Sequence, residues 1–122
     1  FQSLARLEWS TSEIVIDIKR GSDVLAGIDI DAMKVDVEGA EAFVLAGFDN
    51  WPPVIVFEFV PAQLRAMGED PVAFLQSIVD RGYSLAALGA ESAVSVEPES
   101  FTALADRMGG DYNLVARRAP AG

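Results

Sequence analysis

The stretch of residues 33–41 most constrains the fold, because its residue pattern changes period within a few positions. Apolar and charged residues alternate from Met33 to Val37, which is typical of a β-strand. Gly39 then supplies a permissive backbone, and the apolar residues after Ala40 fall at helical spacing. The sequence therefore predicts a strand, a tight turn and a helix at this point.

The rest of the chain can be divided by the same rules of period, capping and turn chemistry. Ser22 is predicted to cap a short helix, and Asp70 followed by Pro71 is a stronger helix start. The predicted strands cover residues 13–18, 33–37, 54–59, 83–88 and 112–117. The predicted helical segments cover residues 23–26, 40–47, 63–67, 71–82 and 98–108. Residues 89–97 are predicted to form a loop with a short extended piece.

Strands that alternate with helices indicate an α/β fold. The run at residues 54–59 is apolar apart from Glu58, which favours a strand buried on both faces and a largely parallel sheet covered by helices. The 122 residues, 51% of them hydrophobic, leave room for one packed domain.

Composition excludes several kinds of function. A net charge of −10 argues against binding to a nucleic-acid backbone. The absence of cysteine and histidine excludes disulfides, the usual zinc sites and a Ser-His-Asp triad. No apolar run approaches the roughly 20 residues of a membrane span, and the first residues do not resemble a signal peptide. We therefore expect no nucleic-acid or membrane partner, and a cytoplasmic location by default.

Three carboxylates are candidates for catalysis. Asp36 and Glu38 end the strand before the turn, and Glu58 ends the next strand. If the two strands are adjacent and parallel, these side chains converge on one crevice, where open α/β sheets bind ligands. Structural alternatives remain for three acidic residues: Asp36 could cap the following helix, and Glu38 and Glu41 could complement its dipole. A divalent metal is a weaker alternative, because the spacing is not that of a metal site, and we predict none.

The stretch from Met33 to Glu41, read as MKVDVEGAE and followed by VLAG at residues 44–47, resembles the "IKIDVEGAE…VLKG" signature of FkbM-type S-adenosylmethionine-dependent methyltransferases. Other segments agree with it. GSDVL at residues 21–25 resembles the family's "TLD-L" segment, PVIVFE at residues 53–58 its next strand, DRGY at residues 80–83 its "GY" helix end, and YNLVA at residues 112–116 its closing "NLLA" strand.

The resemblance spans residues 13–117 and implies a Rossmann-like class I methyltransferase half-domain whose last strand is antiparallel. It implies O-methylation of a sugar or another small hydroxylated metabolite by S-adenosylmethionine, with Asp36, Glu38 and Glu58 as catalytic residues and Asp36 also near the cofactor. It covers only the C-terminal half of the family. Residues 1–122 are therefore expected to form a partial domain that lacks the cofactor-binding N-terminal unit.

A function of another class stays open, namely a non-catalytic interaction or regulatory domain that keeps the half-fold. If Val35 and Val37 lie on a central strand, one edge of that strand lacks its neighbour. We expect this edge to pair with the missing N-terminal half of the domain. In the isolated chain we expect it to form a homodimer, to exchange elements, or to be covered by the strand at residues 13–18.

Overall fold

A computed structural model describes residues 10–107 and 110–120 of the chain. The elements are α1 (Gly21–Val24), β1 (Ala32–Val35), α2 (Glu41–Ala46), β2 (Val54–Phe59), α3 (Pro61–Ala66), α4 (Pro71–Asp80), β3 (Tyr83–Leu88), β4 (Ala93–Val96), a 3₁₀ turn (Pro98–Ser100), α5 (Phe101–Asp106) and β5 (Tyr112–Arg118). No helix among the described residues is long and apolar enough to cross a membrane.

The five strands form one mixed sheet in the order β1-β2-β5-β3-β4. Of the four adjacent pairs among the described residues, β1 with β2 is parallel and the other three are antiparallel. The α/β class is confirmed, and so is an antiparallel last strand. The expectation of a mostly parallel sheet does not hold. The sheet is mixed because β5 inserts between β2 and β3. These two strands run in the same direction, and β5 is antiparallel to both.

The core lies on one face of this sheet, which we call the front face. Along β2, Ile55, Phe57 and Phe59 are buried and the alternate residues are half-buried. Buried residues of α2, α3, α4 and α5 join these three in a single cluster. Phe57, for example, meets Phe74 of α4 edge-on, with ring centroids 5.6 Å apart. The prediction of a strand buried on both faces is therefore wrong, because the back face, which carries Val54, Val56 and Glu58, keeps partial contact with solvent.

Local capping signals were informative at α4 and misleading at α1. The Asp70 carboxylate accepts hydrogen bonds from the amides of Val72 and Ala73, as predicted for a cap. Ser22 instead lies inside α1, and its hydroxyl accepts a hydrogen bond from the Asp49 amide. The Ser22 hydroxyl therefore bonds to a residue distant in sequence and does not cap the helix.

The segment at residues 13–18 is the largest departure from prediction. It forms no strand, and its apolar side chains are solvent-exposed, Val15 by 97% and Ile18 by 89%. Among the described residues β1 pairs only with β2, and β1 ends at Val35, so Val37 lies outside it. The strand expected to be central is therefore an edge strand, and residues 13–18 do not cover it.

The remaining differences lie at element ends. The predicted helix at residues 98–108 begins as a 3₁₀ turn and becomes α-helical at Phe101. The extended piece expected within residues 89–97 is β4. The predicted helix end at Met108 lies outside the described residues.

Candidate functional site

The register between β1 and β2 brings two of the predicted carboxylates together. Pairing runs from Ala32 with Val54 to Val35 with Phe57, so one further step places Asp36 opposite Glu58. Both side chains then lie on the back face, at the carboxyl ends of two adjacent parallel strands. This position matches the one predicted for them from the sequence.

A third polar residue completes the row. Glu58 pairs with Asn113 of β5, so the Asn113 amide lies next to the carboxyl of Glu58 on the side away from Asp36. Sequence reasoning missed Asn113, because no local pattern shows that β5 returns to lie beside β2. Only the strand order places an amide at this position.

The environment of Glu58 is acidic. Partial burial raises the pKa of the Glu58 carboxyl above its ordinary value, and the charge of Asp36 and a hydrogen bond with Asp36 raise it further. The charges of Asp111 and Glu41 act in the same direction. The Glu58 carboxyl therefore keeps its proton to a higher pH than an ordinary glutamate does.

Glu38 occupies a different place. Residues 37–40 form a tight turn in which the Ala40 amide donates to the Val37 carbonyl over 3.3 Å. Both central residues have positive φ, 52° at Glu38 and 101° at Gly39. The Glu38 side chain is exposed and is not among the groups that raise the pKa of Glu58. The structure thus groups Asp36 with Glu58 and leaves Glu38 at the adjacent turn.

The capping alternative for Asp36 is wrong. Helix α2 begins at Glu41 with Ala40 in the capping position, and no side chain caps it. The turn at residues 37–40 separates Asp36 from the helix. Its carboxylate is therefore available to Glu58.

Gly39 serves packing at this site. A Cβ atom at Gly39 would lie 2.5 Å from the carbonyl oxygen of Gln63 in α3. The absence of a side chain lets the turn pack against the main chain of α3.

A cleft of about 560 Å³ opens beside Glu58. Its lining includes Gln63 and Arg65 of α3 and Asp111 at the start of β5. Arg65 donates to the Ala105 carbonyl over 3.1 Å and so ties α3 to α5 across the cleft. A larger cleft of about 790 Å³ lies at the opposite ends of β1 and β2, away from all three carboxylates. Because Glu58 lines the smaller cleft, the smaller cleft is the candidate binding site.

Within residues 10–107 and 110–120, no group of three or more acidic side chains is arranged to hold a metal ion.

Comparison with known proteins gives one partial similarity. No family model matches the chain, and no solved structure matches it. Over 51 residues the chain is 43% identical to "Methyltransferase 1" of Beauveria bassiana (strain ARSEF 2860), a match that covers 38% of this chain and 20% of that protein. The chain thus spans about a fifth of this relative, and over that stretch it is similar to a protein named as a methyltransferase.

Proposed function

We propose that this chain is the acceptor-binding portion of an S-adenosylmethionine-dependent methyltransferase of the FkbM type. The observation that carries the proposal is the placement of Asp36 beside Glu58 at the carboxyl ends of adjacent parallel strands. The resemblance of residues 33–47 to the family signature and the partial match to a protein named as a methyltransferase support it.

The carboxyl pair suits the activation of a hydroxyl group. Transfer of a methyl group to an alcohol oxygen needs the hydroxyl proton to be removed near the transition state. The chain has no histidine, so within it the base is a carboxylate, a lysine or a water molecule, and we assign this role to the carboxyl pair. Asp36 is exposed and is placed to orient or deprotonate the hydroxyl, while Glu58, whose pKa is raised, and Asn113 can hold the substrate beside it.

The cleft beside Glu58 supports a small polar substrate. A volume of about 560 Å³ is in the range of small-molecule sites, and its lining includes Glu58, Gln63, Arg65 and Asp111 as hydrogen-bonding groups. A sugar or another small hydroxylated metabolite, the class implied by the family resemblance, meets this combination of size and polarity.

We expect the described residues to supply only part of an S-adenosylmethionine site. Asp36 offers one carboxylate, but no glycine turn opens a helix toward a ligand, since Gly39 packs on Gln63. We expect the 122-residue chain alone to bind S-adenosylmethionine weakly or not at all, and micromolar affinity in calorimetry would contradict this.

The catalytic role of Asp36 and Glu58 is tested in a longer protein. In it, this chain follows a strand-glycine-helix unit of the kind that binds S-adenosylmethionine. Transfer of labelled methyl groups from S-adenosylmethionine to a panel of sugars and small alcohols is measured. Asp36→Asn should lower kcat by about a hundredfold or more, and Glu58→Gln by a smaller factor. Glu97→Gln, on the far side of the sheet, is the matched control and should leave kcat unchanged. Unchanged turnover in both Asp36→Asn and Glu58→Gln would refute the proposal.

A further inference from the structure

Glu41 is buried without a counter-charge. Its side chain is 2% exposed, and no other charged residue among those described is buried. The two ion pairs found in the described part of the chain join Arg20 to Asp49 and Arg65 to Asp106, so neither involves Glu41. A buried carboxylate that lacks such a partner is costly and requires compensation from hydrogen bonds.

The compensation comes from the main chain just after β1. The Glu41 carboxylate accepts a hydrogen bond from the Val37 amide over 3.4 Å. Glu41 is also the first residue of α2, where the free amides of the helix start favour negative charge. The hydrogen bond spans the turn at residues 37–40, so the helix start and the strand end are tied together by one side chain.

This turn needs such a restraint. It holds a non-glycine residue, Glu38, at positive φ, and backbone of this kind persists only where its surroundings enforce it. The main chain of Gln63 contacts the turn at Gly39, and Glu41 holds it at Val37. Two contacts from different elements therefore fix its path.

The restraint matters because of where β1 ends. The register with β2 ends at Val35, so β2 does not hold the main chain that follows Asp36. The Val37 amide is the next main-chain group, and its hydrogen bond to Glu41 is the first restraint after the strand.

We propose that Glu41 is a positioning residue that holds the Val37 amide and thereby fixes the Asp36 carboxylate against Glu58. Its significance for catalysis rests on the proposed methyltransferase function, whereas the positioning itself is a property of the 122-residue chain. Glu41 is not expected to touch a substrate.

Two substitutions separate the hydrogen bond from the charge. Glu41→Gln removes the charge and keeps an acceptor for Val37, while Glu41→Met keeps the side-chain length and removes both. Both lose the charge that Glu41 exerts on Glu58, so any difference between them reports on the acceptor. Each is combined with Asp36→Asn, and the pKa of Glu58 is read from its side-chain carboxyl signal by NMR.

With Gln at position 41, Asp36→Asn should lower the pKa of Glu58 as much as it does in the unsubstituted chain. With Met at position 41, that shift should fall to less than half, because Asp36 is no longer held against Glu58. A residue with only a structural role would lower stability in the Met variant without changing the effect of Asp36→Asn. Equal shifts in the Gln and Met backgrounds would overturn the proposal.

A second measurement needs no folded Met variant. The Val37 amide should exchange with solvent slowly in the unsubstituted chain and in Glu41→Gln, although Val37 lies outside any strand. Fast exchange in the unsubstituted chain would overturn the proposal. Neither measurement uses methyl transfer, so a loss of the proposed function leaves the result on Glu41 standing, and the reverse also holds.

Discussion

Replacing Gly39 by alanine tests whether the turn beside the candidate site is held by its contact with α3. Gly39 has φ of 101°, and a Cβ atom there would lie 2.5 Å from the Gln63 carbonyl oxygen. Gly82, which follows α4, has φ of 91°, and a Cβ atom there would meet nothing within 4 Å. Both glycines have positive φ, but only a side chain at position 39 would collide with a neighbouring residue.

The expected costs follow from this difference. Gly82→Ala carries only the strain of a left-handed backbone, about 1–2 kcal/mol. Gly39→Ala carries that strain and must also move main chain by roughly 0.9 Å to reach ordinary contact, which adds about 1–3 kcal/mol. At a urea dependence of about 1.5 kcal/mol/M, the unfolding midpoint should fall by about 1 M in Gly82→Ala and by about 1.5–3 M in Gly39→Ala.

Urea unfolding followed by tryptophan fluorescence measures both variants. Since Gly39 packs beside the Asp36 and Glu58 pair, Gly39→Ala should also lower the pKa of the Glu58 carboxyl in NMR titration, while Gly82→Ala leaves it unchanged. If Gly39→Ala costs no more than Gly82→Ala, then the contact with Gln63 does not hold the turn, and the packing role assigned to Gly39 is refuted.

Two further outcomes are expected. The raised pKa of Glu58 lets the folded chain keep this proton to higher pH than the unfolded chain, so its contribution to stability is full below about pH 4.3 and is lost as pH rises through the folded pKa. Glu58→Gln should therefore gain stability relative to the unsubstituted chain as the pH rises above about 4.3. A difference in urea midpoint that is constant with pH would contradict this. The open edge of β1 and the exposed apolar side chains within residues 13–18 should make the isolated chain self-associate at low micromolar concentration, as measured by sedimentation. Val15→Lys should weaken this association. Val94→Lys, on the edge strand at the other end of the sheet, is the control and should leave the association unchanged. A monomer with fast amide exchange at Val35 would refute the open-edge argument.

Local sequence signals predicted most of the elements, because these signals act over a few residues. Asp70 with Pro71 starts α4, since the cap and the fixed proline backbone are both local. The period change at residues 33–41 predicted the strand, the turn and the helix, and the bounds of β2 were predicted to the residue. The candidate carboxylates Asp36 and Glu58 were also found this way, as acidic residues at strand ends.

Tertiary structure decided the rest, because it depends on which distant segments pair. The alternation at residues 13–18 has the local pattern of a strand, but a strand needs a partner, and none pairs with it among the described residues. The insertion of β5 between β2 and β3 made the sheet mixed and brought Asn113 to Glu58. The register of β1 on β2 set Asp36 beside Glu58, and the packing of the turn buried Glu41. Strand pairing and burial are properties of the assembled sheet, so the residues that enter it do not determine them locally.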